Sequence, residues 1–193
     1  FNPMPKMFFN KKLKNFRLSN VDQKIKLLGN LKVDFVITKK FDKKFSKTKA
    51  LNFISQILNK KLSSKFIFVS NNFRFGNKRE GNVDLLKRYE QLFNYKVVKP
   101  EPLIKSNKIV SSSLIRNLLE KGLLDKANNL LKRNWTIQGV VKKGRQVGKK
   151  IGFPTCNIDI GDYVLAKPGV YAVKVLRKNS SKYIKGIANL GYR

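Results

Sequence analysis

A change of rhythm near Trp135 constrains the fold of this chain more than any other feature. Up to about residue 133, short apolar runs alternate with stretches of helical period; beyond Trp135 the helical period is gone. On the first side, Ser19 to Asn30 reads as a helix, with Ser19 as cap and Asp22 at capping-box spacing. Val33 to Thr38 is an apolar, β-branched strand. Thr48 to Leu62 follows as an amphipathic helix carrying Leu51, Ile54, Ile57 and Leu58 on one face. Phe66 to Val69 is apolar throughout, as expected of a parallel strand buried on both faces. A polar loop then runs from Ser70 to Asn82, followed by a helix from Asp84 to Phe93 and a strand from Tyr95 to Val98. Ser111 to Glu120 and Leu123 to Lys132 read as two helices split by Gly122. Strands joined by helical crossovers predict a doubly wound, Rossmann-like α/β domain over residues 1–133.

On the second side, Thr136 to Val141, Val170 to Leu176 and Tyr183 to Leu190 read as strands between glycine-bearing loops. Short strands without helices predict a small antiparallel β-barrel over residues 134–193.

Two residue types narrow the chemistry by their scarcity. The chain has no histidine, which excludes a His-dependent triad, an imidazole base and a His-ligated metal from this segment. Its one cysteine, Cys156, permits neither an internal disulfide nor a cysteine zinc cluster, and a reducing cytoplasm fits. No run of about 20 apolar residues offers a membrane span. FNPMPKMFF, at the start, is too short and proline-broken for a signal peptide. A beginning at Phe1 rather than Met leads us to expect a segment cut from something longer.

Charge is extreme: 43 Lys and Arg against 11 Asp and Glu give +32. Such a field attracts nucleic acid, anionic lipid or polyanionic small molecules such as nucleotides. The same lysines, travelling with abundant Asn, Ile and Phe, read first as a solvated surface written by an AT-rich coding sequence, so charge alone decides little.

Three segments have the composition of binding sites. In GRQVGKKIGFPTCN, residues 144–157, Gly144, Gly148 and Gly152 fall four apart amid Lys142, Lys143, Arg145, Lys149 and Lys150. Glycines let backbone N–H groups approach phosphate oxygens, and the lysines add charge. This is not a Walker A loop, because three residues rather than four separate Gly144 from Gly148. Thr155 and Asn157 then present two hard oxygens at strand spacing, suited to a Mg²⁺–nucleotide complex. A glycine-rich hairpin with a structural Pro-Thr turn is the other reading. In VSSSLIR, residues 110–116, serine hydroxyls gather at a helix start and Arg116 returns one turn later, a phosphate cradle or ordinary N-capping. In VSNNFRFGNKREG, residues 69–81, Phe73 and Phe75 flank Arg74 in the loop after a parallel strand, as stacking surface or as core. The acidic side chains offer no pair with the setting of a catalytic dyad, so no catalytic residue is assigned.

Taken in order, these segments resemble the bacterial bifunctional riboflavin kinase/FMN adenylyltransferases, the FAD synthetase family. The resemblance covers the whole chain and rests on FNPMP at 1–5, VDFVITKKFDKKFSKTKALNFI, NNFRFGNKREG, VSSSLIR, GKKIGFPTCN, GVYAV and GIANLGYR. It implies two linked reactions: ATP-dependent phosphorylation of riboflavin to FMN in the barrel, and adenylylation of FMN to FAD in the preceding domain. It also implies that Ser112, Ser113 and Arg116 contact the triphosphate and that Pro3, Pro5 and Asn72 lie near the flavin. In the kinase, Gly144, Gly148, Lys149, Gly152, Thr155 and Asn157 would hold ATP, with Thr155 on Mg²⁺. The implied partners are ATP, riboflavin and FMN, in the cytoplasm, rather than a specific nucleic acid or a membrane.

Departures from the family pattern are Ser70 for a usual glycine, Asn72 for a common Asp, Met4 for a frequent His and Lys149 for a frequent Arg, the last losing a bidentate grip. The family's H-x-G-H motif and the kinase's glutamate fall outside the matched residues. We therefore expect the parent protein to be active and these 193 residues to bind nucleotide or flavin weakly. Two rivals differ in testable ways: a single-function nucleotidyltransferase lacks flavin binding, and a basic nucleic-acid-binding protein binds DNA or RNA with steep salt dependence.

Overall fold

The computed structural model describes residues 1–144, 152 and 155–191. The chain divides into two compact units, Phe1–Lys11 with Ile37–Ile109, and Lys12–Val36 with Val110–Arg193.

In the first unit, strands Phe66–Phe68 and Lys96–Val98 pair in parallel, with Ile67 opposite Val97. Ile67 is buried, whereas Phe66 and Phe68 are 63% and 67% exposed, so the strand buries one face rather than both. The reason is local: a single neighbouring strand and a core on one side give alternation. That core gathers Ala50, Ile54, Ile67, Val69, Phe75, Val83, Leu86, Tyr95 and Val97. Ala50–Asn52 is α-helical and runs directly into a π-helix, Phe53–Lys61. The change from i→i+4 to i→i+5 turns breaks the spacing of the expected single face. Ile54 is fully buried while Leu51 turns to solvent. Helix Val83–Arg88 starts where the Asn82 side chain accepts from the Leu85 N–H at 2.8 Å, and Glu90–Phe93 continues it after Tyr89. A hairpin that the sequence reading did not anticipate, Ile104–Lys105 with Lys108–Ile109, turns through Ser106 and Asn107 at φ 48° and 57°.

The second unit carries helices Val21–Asn30, Ser112–Glu120 and Leu124–Leu131. The box that opens Val21–Asn30 lies one residue later than the spacing predicted. Asn20 Oδ1 accepts from the Gln23 N–H at 2.7 Å, and Gln23 Oε1 accepts from the Asn20 N–H at 3.0 Å. Ser19 instead accepts from the Arg133 guanidinium at 3.1 Å. Gly122, at φ +76°, ends Ser112–Glu120 in a Schellman turn: its N–H donates to Leu119 O, and that of Leu123 donates to Leu118 O. Ile115, Leu119, Ala127, Val164 and Ala166 form the core here, with Trp135 packed against it.

Two antiparallel pairs complete this unit. Val141–Lys142 pairs with Asn157–Ile158, and Gly169–Leu176 pairs along its whole length with Tyr183–Leu190. Both long strands match their expected ranges closely, whereas the strand expected from Thr136 starts only at Val141. Val33 to Thr38 forms no strand: Phe35 is 86% and Ile37 69% exposed, and no strand among the described residues lies beside the segment to take its hydrogen bonds. The architecture is thus mixed α/β built on two-stranded sheets, and no barrel closes among the described residues. No helix there is long and apolar enough to cross a membrane.

Candidate functional site

The loop that leaves Phe66–Phe68 at its carboxyl end is packed to backbone contact. Phe73 and Phe75 stack with centroids 5.4 Å apart, and Phe75 is buried in the core against Phe53. Of the two readings of this loop, Phe75 therefore takes the core role. A Cβ on Gly76, at φ +76°, would lie 2.8 Å from the Ala50 backbone, which explains the glycine. The loop's carboxylate, on the exposed Glu80, is engaged by the core helix, its Oε1 accepting from the Ala50 N–H at 2.6 Å.

What stays outside is polar. Asn72 is exposed and lines an open hollow of about 270 Å³ with Asn71, Arg74, Arg79, Lys87 and Lys99. Lys99 directly follows Lys96–Val98, so the hollow sits at the carboxyl ends of both parallel strands, where open α/β sheets bind ligands. Pro3 and Pro5 belong to the same unit. Pro3 follows a cis peptide bond and Pro5 opens helix Pro5–Phe9. Their segment is anchored by Asn2, whose N–H donates to Lys39 O at 3.0 Å, and by Phe1, whose ring meets those of Phe41 and Phe45.

In the second unit, Ser111 caps helix Ser112–Glu120, accepting from the Leu114 N–H at 3.2 Å. That leaves Ser112 and Ser113 exposed on the first turn. Arg116 donates to Ser113 Oγ at 3.2 Å and stacks on the ring of Phe16, 3.8 Å from its centroid. Burial lowers the pKa of Arg116, which still remains a cation at any working pH. The structure thus brings two of the predicted residues, Ser113 and Arg116, into direct contact. Phe16, which holds the arginine, carries no motif signal, and sequence reasoning missed it.

The glycine-rich segment is closed at its base by the Val141–Lys142/Asn157–Ile158 pair. Gly144 and Asn157 meet there, since a Cβ on Gly144 would collide with Asn157 Nδ2. Thr155 is exposed just before the strand, and Gly152 has open space around it at φ +83°. Gly148 and Lys149 lie outside the described residues. Lys142 is committed to an ion pair, 2.5 Å from Asp159 Oδ2. The hydrogen bond from Lys142, then that from the Gly161 N–H, holds the Asp159 carboxyl below its ordinary pKa. Among the described residues no three His, Cys, Asp or Glu group as a metal site. A cation here would have to rely on neutral oxygens such as Thr155 Oγ1 and Asn157 Oδ1, together with ligand phosphate. This donor set fits Mg²⁺, which keeps several waters.

Comparison with known proteins assigns the chain to a family. The FAD synthetase family model matches residues 1–114. The chain belongs to the FAD synthetase family. A riboflavin kinase model matches residues 131–193 of this family member. It is 39% identical over 194 residues to the bifunctional riboflavin kinase/FMN adenylyltransferase of Buchnera aphidicola from Schizaphis graminum, covering 100% of this chain and 62% of that protein. The Haemophilus influenzae protein of the same name is 38% identical over 193 residues, with 62% of its length covered. Escherichia coli K12 has another, 35% identical and 61% covered. The family member therefore spans about three-fifths of the length of the curated relatives it matches. It also superposes on the solved structure named "Crystal Structure of Macrolide-efflux Protein from Streptococcus pneumoniae", with a TM-score of 0.73 over 90% of this chain and 55% of that one. At 24% identity that likeness concerns the fold alone.

Proposed function

We propose that this chain serves FAD biosynthesis, in a protein that phosphorylates riboflavin to FMN and then adenylylates FMN to FAD. The observation that carries the reading is the order of the two matched families along one chain. In the first reaction an oxygen of riboflavin takes the γ-phosphoryl group of ATP and ADP leaves. In the second, a phosphate oxygen of FMN bonds to the α-phosphorus of another ATP and pyrophosphate leaves. Both reactions depend mainly on positioning and on neutralising phosphate charge, which a cationic, glycine-rich surface supplies.

The division of labour follows the sequence reading: residues 1–133 as a Rossmann-like adenylyltransferase and 134–193 as part of a riboflavin-kinase barrel. Ser112, Ser113 and Arg116 would take ATP phosphates for adenylyl transfer; the Arg116–Ser113 contact supports this by pre-orienting the guanidinium. Pro3, Pro5 and Asn72 would border the flavin. Gly144, Gly148, Lys149, Gly152, Thr155 and Asn157 would take the kinase ATP, with the Thr155 hydroxyl towards Mg²⁺. That ion, when bound, neutralises phosphate charge. Gly144, having no Cβ, leaves room for the Asn157 amide beside it.

Flavin fluorescence tests the reading. The 193-residue chain should quench riboflavin on titration and should bind Mg-ATP in a separate calorimetric titration. Absence of any flavin quenching, with tight and steeply salt-dependent DNA binding instead, would replace it by the nucleic-acid alternative.

A further inference from the structure

We infer that the hollow at the carboxyl ends of Phe66–Phe68 and Lys96–Val98 binds a phosphate monoester dianion, that of FMN, through Arg74, Arg79, Lys87 and Lys99. The inference rests on the flavin reading above and adds which end of the flavin these cations take.

The first ground is charge that has nowhere else to go. Four cationic side chains line the hollow with one carboxylate, Asp84, whose Oδ2 is 3.5 Å from the Asn82 amide. The two nearest glutamates in sequence are turned to other work. Glu80 accepts from the Ala50 N–H at 2.6 Å, and Glu90 from the Val97 N–H at 2.7 Å. Among the described residues the ion pairs are Arg17–Asp162 and Lys142–Asp159, and neither involves a cation of the hollow.

The second ground is backbone shape. Lys78 and Arg79 hold φ of 49° and 61°, left-handed values that cost a side-chain-bearing residue energy. They are kept there by the turn that Phe75 and Gly81 close with reciprocal hydrogen bonds of 3.1 and 2.9 Å. The strained turn carries Arg79 to the same hollow that Lys99, which follows the second strand, also lines. Asn71 and Asn72 add neutral donors, so a multidentate oxyanion is matched by both charge and hydrogen bonding.

The third ground is chemical need. Riboflavin is uncharged at its ribityl end, whereas a phosphate monoester carries nearly two negative charges at neutral pH. Adenylyl transfer uses that phosphate as acceptor, so a site that recognises it rejects the unphosphorylated flavin. Lys87 and Lys99 would then be specificity-determining residues for FMN.

The test titrates the 193-residue chain with FMN and with riboflavin, following flavin fluorescence at about 50 mM salt. We expect FMN to bind roughly tenfold more tightly, and inorganic phosphate to erode that advantage while leaving riboflavin unaffected. A K87E/K99E double variant, checked for native circular dichroism, should lose about tenfold in FMN affinity and stay within about twofold for riboflavin. K24E/K26E, which makes the same charge change on helix Val21–Asn30, should move FMN by less than about twofold. Equal affinity for the two flavins, or an equal FMN loss in K24E/K26E, overturns the phosphate site while leaving the flavin reading intact. Failure of both flavins to bind overturns the reading and the site together.

Discussion

The guanidinium carbon of Arg116 lies 3.8 Å from the centroid of the Phe16 ring, with Ser113 Oγ accepting from the same group at 3.2 Å. Phe16 is itself fixed by its backbone N–H, which donates to Asp162 O at 2.8 Å. The ring therefore acts as a positioning surface for the arginine proposed to grip ATP. A cation–π contact of this kind contributes about 0.5–1 kcal/mol at an exposed site. Phe16→Ala should weaken ATP binding at the proposed adenylyltransferase site about two- to fivefold by calorimetry, whereas Phe16→Trp should preserve it. Equal affinities in wild type and Phe16→Ala would show that Arg116 needs no such support.

Gly76→Ala should be costlier than Gly122→Ala, although both glycines sit at φ +76°. At Gly76 the new methyl meets the Ala50 backbone at 2.8 Å, which has no room to yield. At Gly122 its nearest neighbours are side-chain carbons of Lys167 at 3.3 Å, and these can swing aside. We expect roughly 1 kcal/mol for Gly122→Ala and about 2–3 kcal/mol for Gly76→Ala. Denaturant titration of each variant, with hydrogen exchange to report local protection, checks the order. Gly76→Ala should also blunt the proposed flavin binding, because it displaces the loop that presents Asn72.

How far the fold was legible depended on whether a local rule had a competitor. Gly122 split two helices as expected because glycine takes the left-handed C-terminal turn at least cost, although Asn94 and Lys132 adopt it at other helix ends here. Gly169–Leu176 and Tyr183–Leu190 matched because alternation over eight residues has one solution. The helix start at Asn20 was misplaced because Ser19 and Asn20 both cap well, and only the Gln23 side chain decides between them. The π turns after Asn52 and the unpaired run at Val33 have no local signature, since tertiary partners set both. In the candidate sites, residues inside motifs were legible, and Ser113 and Arg116 do meet. Phe16, Lys87 and Lys99 were not, because each is brought to its site by the fold from outside any motif.

Tyr95 should set part of the alkaline limit of stability. Its hydroxyl donates to Leu86 O at 2.6 Å, and burial, with the charges of Glu90 and Tyr89, pushes its pKa up to about 12. The unfolded chain releases the same proton near pH 10. The folded state therefore holds the proton more tightly. Its contribution is complete below about pH 10 and drains away as pH rises from about 10 to 12. Tyr95→Phe should cost about 1 kcal/mol at neutral pH. The gap between variant and wild type should then shrink across that window, as read from urea midpoints at successive pH values.

Leu119→Ala offers the cleanest measure of the second unit, because the chain's one tryptophan reports on the same cluster. Leu119 is fully buried on helix Ser112–Glu120, and Trp135 packs on that cluster with its indole N–H donating to Leu18 O at 3.1 Å. Removing the side chain loses its transfer free energy and leaves a cavity, together about 2–4 kcal/mol. Shifting the tryptophan fluorescence transition to lower urea with an unchanged slope is the expected result, since the slope follows the surface exposed on unfolding. Leu119 O also accepts the Gly122 and Lys167 N–H groups at 2.9 and 3.0 Å, and these backbone bonds survive the substitution. The loss should therefore be one of packing alone, and Leu119→Met, which refills most of the volume, should recover all but about 1 kcal/mol. A Leu119→Met variant as unstable as Leu119→Ala would place the requirement in side-chain shape instead of buried volume.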